Sequence, residues 1–207
     1  MTVARDLLDL DPALPLSDRV RRVWFAPDGS PRPWWFTPAD TVDAVLIALF
    51  SKDTGLALTG AHDALRATPE GALALLILLD ALPRRLWAGH DKASAGNAAA
   101  RALVIDSLRQ GHDRHWPPAG RLLAGLCFLR SPDPIDQERG FALVDALGRP
   151  DWLAWALQKG KAGEARLPSL NFPGTPPGKA PPLSPLSASK YPAPPPAPES
   201  PPRPRKY

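Results

Sequence analysis

The chain has 207 residues, a formal net charge of +4, 44% hydrophobic residues and 22% charged residues. This composition is typical of a soluble globular protein, and it excludes a wholly disordered chain and a membrane protein. The single cysteine, Cys127, excludes a disulfide framework and a cysteine-rich zinc site. It also favours a reducing compartment. The acidic, interrupted amino-terminal sequence lacks the apolar core of a secretory signal, so we expect a cytoplasmic protein.

Proline and charge divide the chain into two parts. Fifteen of the 28 prolines lie in residues 167–207. Residues 160–207 carry seven basic and two acidic side chains, so the high pI of about 9.5 comes from this part of the chain. We therefore predict an all-helical domain over residues 1–160. Residues 161–207 are predicted to form a basic, proline-rich tail that is extended or disordered unless it is bound.

Helix start and stop signals cover most of residues 1–160. The predicted helices, in chain order, are residues 3–10, 17–25, 37–50 with Thr37 as the cap, 56–66, 68–82, 97–110, 118–129, 134–147 and 151–159. Pro83 is expected to stop the helix that begins at Thr68, because it has no amide hydrogen. Gly111, Gly148 and Gly160 are expected to end helices. Seven to nine helices joined by short links predict an all-α fold.

Asp80 and Arg84 are the first candidate site residues. Asp80 ends an apolar run that is about half of the roughly 20 residues needed to span a membrane, so we predict a buried core helix and no membrane span. A buried carboxylate needs a partner, and Arg84 is suitably spaced if the helix continues past Pro83. The two residues form either a structural ion pair or part of a pocket for an anionic or amide-bearing ligand. The other members of that pocket would be Arg130, Asp136 and Gln137.

Aromatic residues form a second candidate surface. The rings of Trp24, Phe25, Trp34, Trp35 and Phe36 lie within 13 residues of one another. In one interpretation Trp24 and Trp35 belong to a stacking surface for a ligand or a proline-rich peptide. In the other, the aromatic residues pack the amino-terminal segment onto the helices.

The sequence gives little support for a metal site or a catalytic nucleophile. His112, Asp113 and His115 follow a helix-closing glycine, but their spacing does not place two imidazoles on one helix face. Cys127 lies in an apolar run, which predicts an inert core residue. We therefore expect no metal ion and no cofactor.

The tail contains two overlapping motifs with the spacing proline, two residues, proline, one residue, base. The first comprises Pro198, Pro201 and Arg203, and the second comprises Pro201, Pro204 and Lys206. A polyproline helix with this spacing presents two prolines on one edge and a charge beyond them, which is suited to binding a protein partner. The alternative is a solvated linker, because proline-rich composition produces such matches by chance.

Several stretches of the chain match a known family in order. They are residues 23–25, Trp35 and Phe36, residues 43–50, 68–84, 111–113 and 136–139, and then Phe141 and Leu143. In this pattern the chain resembles the bacterial family catalogued as domain of unknown function 924, over about residues 20–147. The resemblance implies an antiparallel helix stack of the tetratricopeptide-like type. It implies no reaction, because the activity of the family is not established.

The chain also departs from the family pattern, so the resemblance implies a divergent member. Relatives carry glutamine at the position of Ala81, aspartate at Asn97, and a His-Ser-Glu run where this chain has Arg130, Ser131 and Pro132. If the lost polar residues were functional in the family, this chain has lost that role.

Two functions from different classes are compatible with these observations. The first is a non-enzymatic interaction protein, an accessory subunit whose helical domain docks a larger protein partner and whose tail acts as an extended tether. The alternative is a small-molecule-binding protein or hydrolase with an inward pocket around Asp80 and Arg84. Nucleic-acid binding is not expected, because seven basic residues spread over residues 160–207 give a dilute charge.

Overall fold

The structure is a computed structural model that describes residues 10–36 and 39–163. These residues belong to one unit of the chain, Met1–Leu167, and a second unit comprises Pro168–Tyr207. The tail motifs, most of the first predicted helix and the cap at Thr37 lie outside the described residues. The division of the chain into a domain and a tail therefore stays a prediction.

The described residues are predominantly α-helical. The helices are α1 (Leu16–Trp24), α2 (Asp40–Leu58), α3 (Pro69–Leu76), α4 (Leu82–Leu86), α5 (Asn97–Gln110), α6 (Pro118–Leu129), α7 (Pro134–Asp145) and α8 (Pro150–Gly163). Short 3-10 turns occupy several of the links, and the described part of the chain forms no β-strand. The predicted all-α fold is confirmed. Among the described residues, no helix combines the length and the apolar character that a membrane span requires.

Several predicted helix ends are confirmed by capping contacts. The Thr68 hydroxyl accepts a hydrogen bond from the backbone N–H of Gly71 at 3.1 Å at the start of α3. The Asp133 carboxylate accepts one from the N–H of Ile135 at 2.9 Å at the start of α7. Gly111, with a φ of 74°, follows the last residue of α5 in the left-handed conformation.

The prediction that Pro83 stops the helix is wrong. Residues 69–86 form one continuous helical rod, which we call the central helix, because a π-turn (Ile77–Ala81) joins α3 to α4. In this wider turn the N–H of Leu82 bonds to the carbonyl of Ile77, five residues earlier. Pro83 directly follows this wider turn, and the altered hydrogen bonding of the turn accommodates a residue that has no amide hydrogen.

Two other predicted boundaries also need correction. Residues 56–66 do not form a separate helix, because α2 runs to Leu58 and Gly60 then turns the chain with a φ of 82°. A short 3-10 turn (Asp63–Ala67) follows. Gly160 does not end α8, which continues to Gly163. A β-carbon at Gly160 would lie 3.0 Å from the Leu129 carbonyl oxygen, so this glycine permits a close approach of two helices.

The central helix forms the middle of the hydrophobic core. Its residues 71–83 are buried on every side, which is the pattern of a helix enclosed by others. Helices α1, α2, α5 and α6 pack around it. The polar exception in this buried stretch is Asp80, which is 2% exposed.

Helices α6 and α7 form a closely packed antiparallel pair. A β-carbon on Gly125 would lie 2.4 Å from Val144 Cγ2, and one on Gly140 would lie 2.7 Å from the backbone nitrogen of Leu129. The contacts of 125 with 144 and of 129 with 140 run in opposite chain directions, so the helices are antiparallel. The two glycines let the backbones approach, so the end of α6 lies close against α7.

Candidate functional site

A network of charged and polar side chains joins the central helix, α5, the link between α6 and α7, and the start of α7. We call it the polar cluster. Its members are Asp80, Arg84, Asn97, Arg101, Arg130, Ser131, Asp136 and Gln137. The structure thus brings together five of the predicted site residues, Asp80, Arg84, Arg130, Asp136 and Gln137.

Asp80 occupies the π-turn and is held by two arginines. Its Oδ1 accepts hydrogen bonds from Arg84 Nε at 3.3 Å and Nη2 at 3.1 Å. Its Oδ2 accepts one from Arg130 Nη1 at 2.5 Å. The expected ion pair between Asp80 and Arg84 is present, and Arg130 joins it from the residue after α6. A π-turn of this kind is frequently found at functional sites.

Helix α5 extends the network to a second carboxylate. Arg84 Nη2 also donates to Asn97 Oδ1 at 2.8 Å, at the first residue of α5. Arg101 lies one helical turn further along the same face of α5. Its Nε is 3.2 Å from Asp136 Oδ2. The helix therefore connects the pair at Asp80 to the pair at Asp136.

The network closes through the link between α6 and α7. The Ser131 hydroxyl donates to Asp136 Oδ2 at 2.7 Å, and Arg139 Nη1 donates to Oδ1 at 3.0 Å. Gln137 Nε2 donates to the backbone carbonyl of Ser131 at 2.8 Å. Because Ser131 directly follows Arg130, the contacts form a ring that returns to the starting arginine.

The polar cluster has more guanidinium donors than its acids can use. Arg84, Arg101 and Arg130 carry three positive charges against the two negative charges of Asp80 and Asp136. Within the described part of the chain, Arg84 Nη1, Arg130 Nη2 and both terminal nitrogens of Arg101 have no hydrogen-bond partner. The three side chains stay partly exposed, at 25%, 21% and 13% for Arg84, Arg101 and Arg130 respectively. Solvent or a ligand can reach these unused donors.

The electrostatic environment of Arg130 also indicates a surplus of positive charge in the polar cluster. Burial lowers the pKa of the Arg130 guanidinium, Asp80 acts to raise it, and the neighbouring Arg84 lowers it again. The protein's own acids therefore compensate this cation only in part.

Cys127 lies in α6, three residues before Arg130, and is buried. Burial and the proximity of Asp80 raise the pKa of its thiol well above the usual range. The thiol donates to the backbone carbonyl of Ala124 at 3.0 Å. These features are those of the inert core residue that the sequence predicted.

Trp24 and Trp35 lie in the hydrophobic core. Trp35 Nε1 donates to the backbone carbonyl of Trp24 at 2.9 Å. The rings of Trp24 and Trp34 meet edge to face, with centroids 5.0 Å apart. Their burial agrees with the interpretation that these rings pack the amino-terminal segment onto the helices.

Two cavities lie elsewhere on the described residues. One, of about 460 Å³, is lined mainly by Pro31, Phe36, Trp152 and Trp155. The other, of about 710 Å³, lies beside α1 and extends to Pro117. Neither cavity is lined by a member of the polar cluster, so the cluster presents its donors at a partly exposed surface and not inside these cavities.

Sequence reasoning missed Arg101 as a site residue and treated Asn97 and Ser131 only as departures from a family pattern. Arg101 could have been found from its position four residues after Asn97, which places both on one face of α5. The contact of Ser131 with Asp136 depends on how α7 leaves the preceding link, and no sequence pattern indicates it.

A solved structure shares the fold of this chain. A solved structure of a protein of unknown function from Agrobacterium tumefaciens is similar to it, with a TM-score of 0.59 and 24% sequence identity, over 79% of this chain and 83% of that chain. This similarity supports the helical fold. No curated protein matches the chain. The family described as "Bacterial protein of unknown function (DUF924)" matches residues 20–159. Because this match covers more than half of the chain, the protein belongs to that family.

Proposed function

We propose that the helical domain binds a small anionic ligand through the polar cluster. The observation that supports this proposal is the surplus of partly exposed guanidinium donors on Arg84, Arg101 and Arg130. A guanidinium fork binds carboxylate and phosphate oxygens through two parallel hydrogen bonds. An anion would use these donors and would compensate the part of the charge that Asp80 and Asp136 leave unpaired.

The proposed role is binding and not catalysis. Both oxygens of Asp80 and both oxygens of Asp136 already lie within hydrogen-bonding or ion-pairing distance of a donor. A general base needs an oxygen that can approach the proton it removes. We therefore propose that the two carboxylates position the arginines, and that the hydrolase alternative is the weaker of the two.

Asn97→Asp is the sharpest test of the anion site. The substitution preserves the shape of the side chain that accepts from Arg84, but it adds a negative charge beside the surplus arginines. We expect inorganic phosphate and acetate to bind the full-length protein. We expect the variant to weaken the binding of each ion by about tenfold or more, while its thermal stability is retained. Isothermal titration calorimetry measures the binding.

The control is Arg109→Gln, on the same helix, where Arg109 is 75% exposed and pairs only with Asp106 among the described residues. This variant should bind both ions as the wild type does. If neither ion binds the wild-type protein, or if Asn97→Asp binds as tightly as the wild type, the anion site does not exist.

The second candidate function is the docking of a protein partner, with the tail as a tether. Its support is the proline and base spacing at Pro198, Pro201 and Arg203, which suits recognition in a polyproline conformation. Deletion of residues 167–207 is expected to abolish or weaken the recovery of a partner in affinity purification. Equal recovery of partners with and without these residues would contradict the tether.

A further inference from the structure

The three arginines of the polar cluster come from three separate elements. Arg84 lies in α4, Arg101 lies in α5, and Arg130 directly follows α6. Arg84 and Arg130 share Asp80, and Arg84 also contacts Asn97, one helical turn before Arg101. The guanidinium groups therefore reach the polar cluster from three separate elements of the fold.

Three guanidinium groups on separate elements favour one class of anion over another. A carboxylate has two oxygens in one plane, and a single guanidinium fork satisfies them. A phosphate monoester has three terminal oxygens that point in three directions, and each can accept from a different donor. Three guanidinium groups on Arg84, Arg101 and Arg130 match the second arrangement better than the first.

The balance of charge around the polar cluster is compatible with an anion of either class. Arg139, which lies outside the polar cluster, also pairs with Asp136 at 3.0 Å, so four arginines face two carboxylates, a surplus of two positive charges. The exposed Asp133, whose carboxylate caps α7, reduces this surplus to one. A carboxylate carries one negative charge and would neutralise this surplus, and a phosphate monoester carries about −1.5 to −2 at neutral pH and would exceed it. The number of guanidinium donors, and not the net charge, therefore favours the phosphate group.

We infer that the ligand of the polar cluster carries a phosphate monoester group, held jointly by Arg84, Arg101 and Arg130. This inference rests on the proposed function, because it names the class of anion that the same site takes. Arg101 distinguishes the two classes. Arg84 and Arg130, which both contact Asp80, are sufficient to hold a carboxylate, whereas the phosphate group also requires Arg101.

The test compares phenyl phosphate with benzoate, which share a phenyl ring and differ in the anionic group. Both are titrated into the full-length protein by isothermal titration calorimetry. We expect phenyl phosphate to bind at least tenfold more tightly than benzoate, a difference of about 1.4 kcal/mol. We also expect Arg101→Gln to weaken phenyl phosphate binding about tenfold while it changes benzoate binding less than threefold.

The outcomes separate the inference from the proposed function. If benzoate binds as tightly as phenyl phosphate, or if Arg101→Gln affects both ligands equally, the phosphate assignment is wrong and the anion site remains. If neither compound binds, both the assignment and the proposed function are wrong. Arg101→Gln should still fold, because Arg101 is partly exposed and Asp136 keeps its contacts with Ser131 and Arg139.

Discussion

Replacement of Asp80 by alanine is expected to lower the free energy of unfolding by about 3–5 kcal/mol. The substitution removes the one carboxylate that Arg84 and Arg130 share. Arg130, which is 13% exposed, is then a largely buried cation that has lost Asp80, its ion-pair partner in the polar cluster. Urea unfolding followed by tryptophan fluorescence measures the loss.

Asp106→Ala is the matched control for this prediction. Asp106 also pairs with an arginine, Arg109, but both side chains are at least half exposed. Exposed ion pairs contribute about 0–1 kcal/mol, so we expect little change in stability. If Asp80→Ala loses no more stability than Asp106→Ala, the buried pair is energetically equivalent to a surface pair and the reasoning fails.

Among glycine-to-alanine substitutions beside the polar cluster, in the described part of the chain, we expect Gly96→Ala to be the most destabilising. A β-carbon at Gly96 would lie 2.0 Å from the carbonyl oxygen of Leu79 and 2.9 Å from its carbonyl carbon. Both are backbone atoms of the π-turn, so the residue before α5 and the turn that carries Asp80 must separate. We expect a loss of about 3 kcal/mol or more, at the upper end for overpacking, or failure to accumulate as folded protein.

Gly55→Ala is the control, and we expect it to raise the free energy of unfolding and not to lower it. Gly55 lies inside α2, and a β-carbon there would meet nothing within 4 Å. Alanine should therefore stabilise the protein by about 0.5–1 kcal/mol, because glycine is costly in a helix interior. If Gly96→Ala unfolds at the same urea concentration as the wild type, the close approach between α5 and the π-turn is absent.

Local signals predicted the helices whose ends depend on local chemistry. The predicted ranges of α5 and α6 agree with the structure residue by residue, because Gly111 closes α5 and Pro118 opens α6. The ion pair of Asp80 and Arg84 was also predictable from the spacing of four residues. In each case the deciding contact lies within one helical turn of the residue that signals it.

Contacts between distant parts of the chain account for what the sequence did not predict. Pro83 breaks an ordinary helix, but residues 71–83 of the central helix are buried, and a π-turn keeps the helix continuous. The pairs of Arg130 with Asp80 and of Arg101 with Asp136 join residues 50 and 35 positions apart. Such pairs depend on how the helices pack, and single-residue patterns carry no information about that.

The separation of Asp80 from Arg130 along the chain has a consequence for shortened forms of the protein. A fragment that ends before α6 contains Asp80 and Arg84, but it lacks the Arg130 guanidinium that neutralises the other carboxylate oxygen of Asp80. It also lacks Leu122, Leu126 and Phe128, which are buried in the core. Amino-terminal fragments should therefore fail to fold as independent domains, and proteolysis within α6 should lead to degradation of both products.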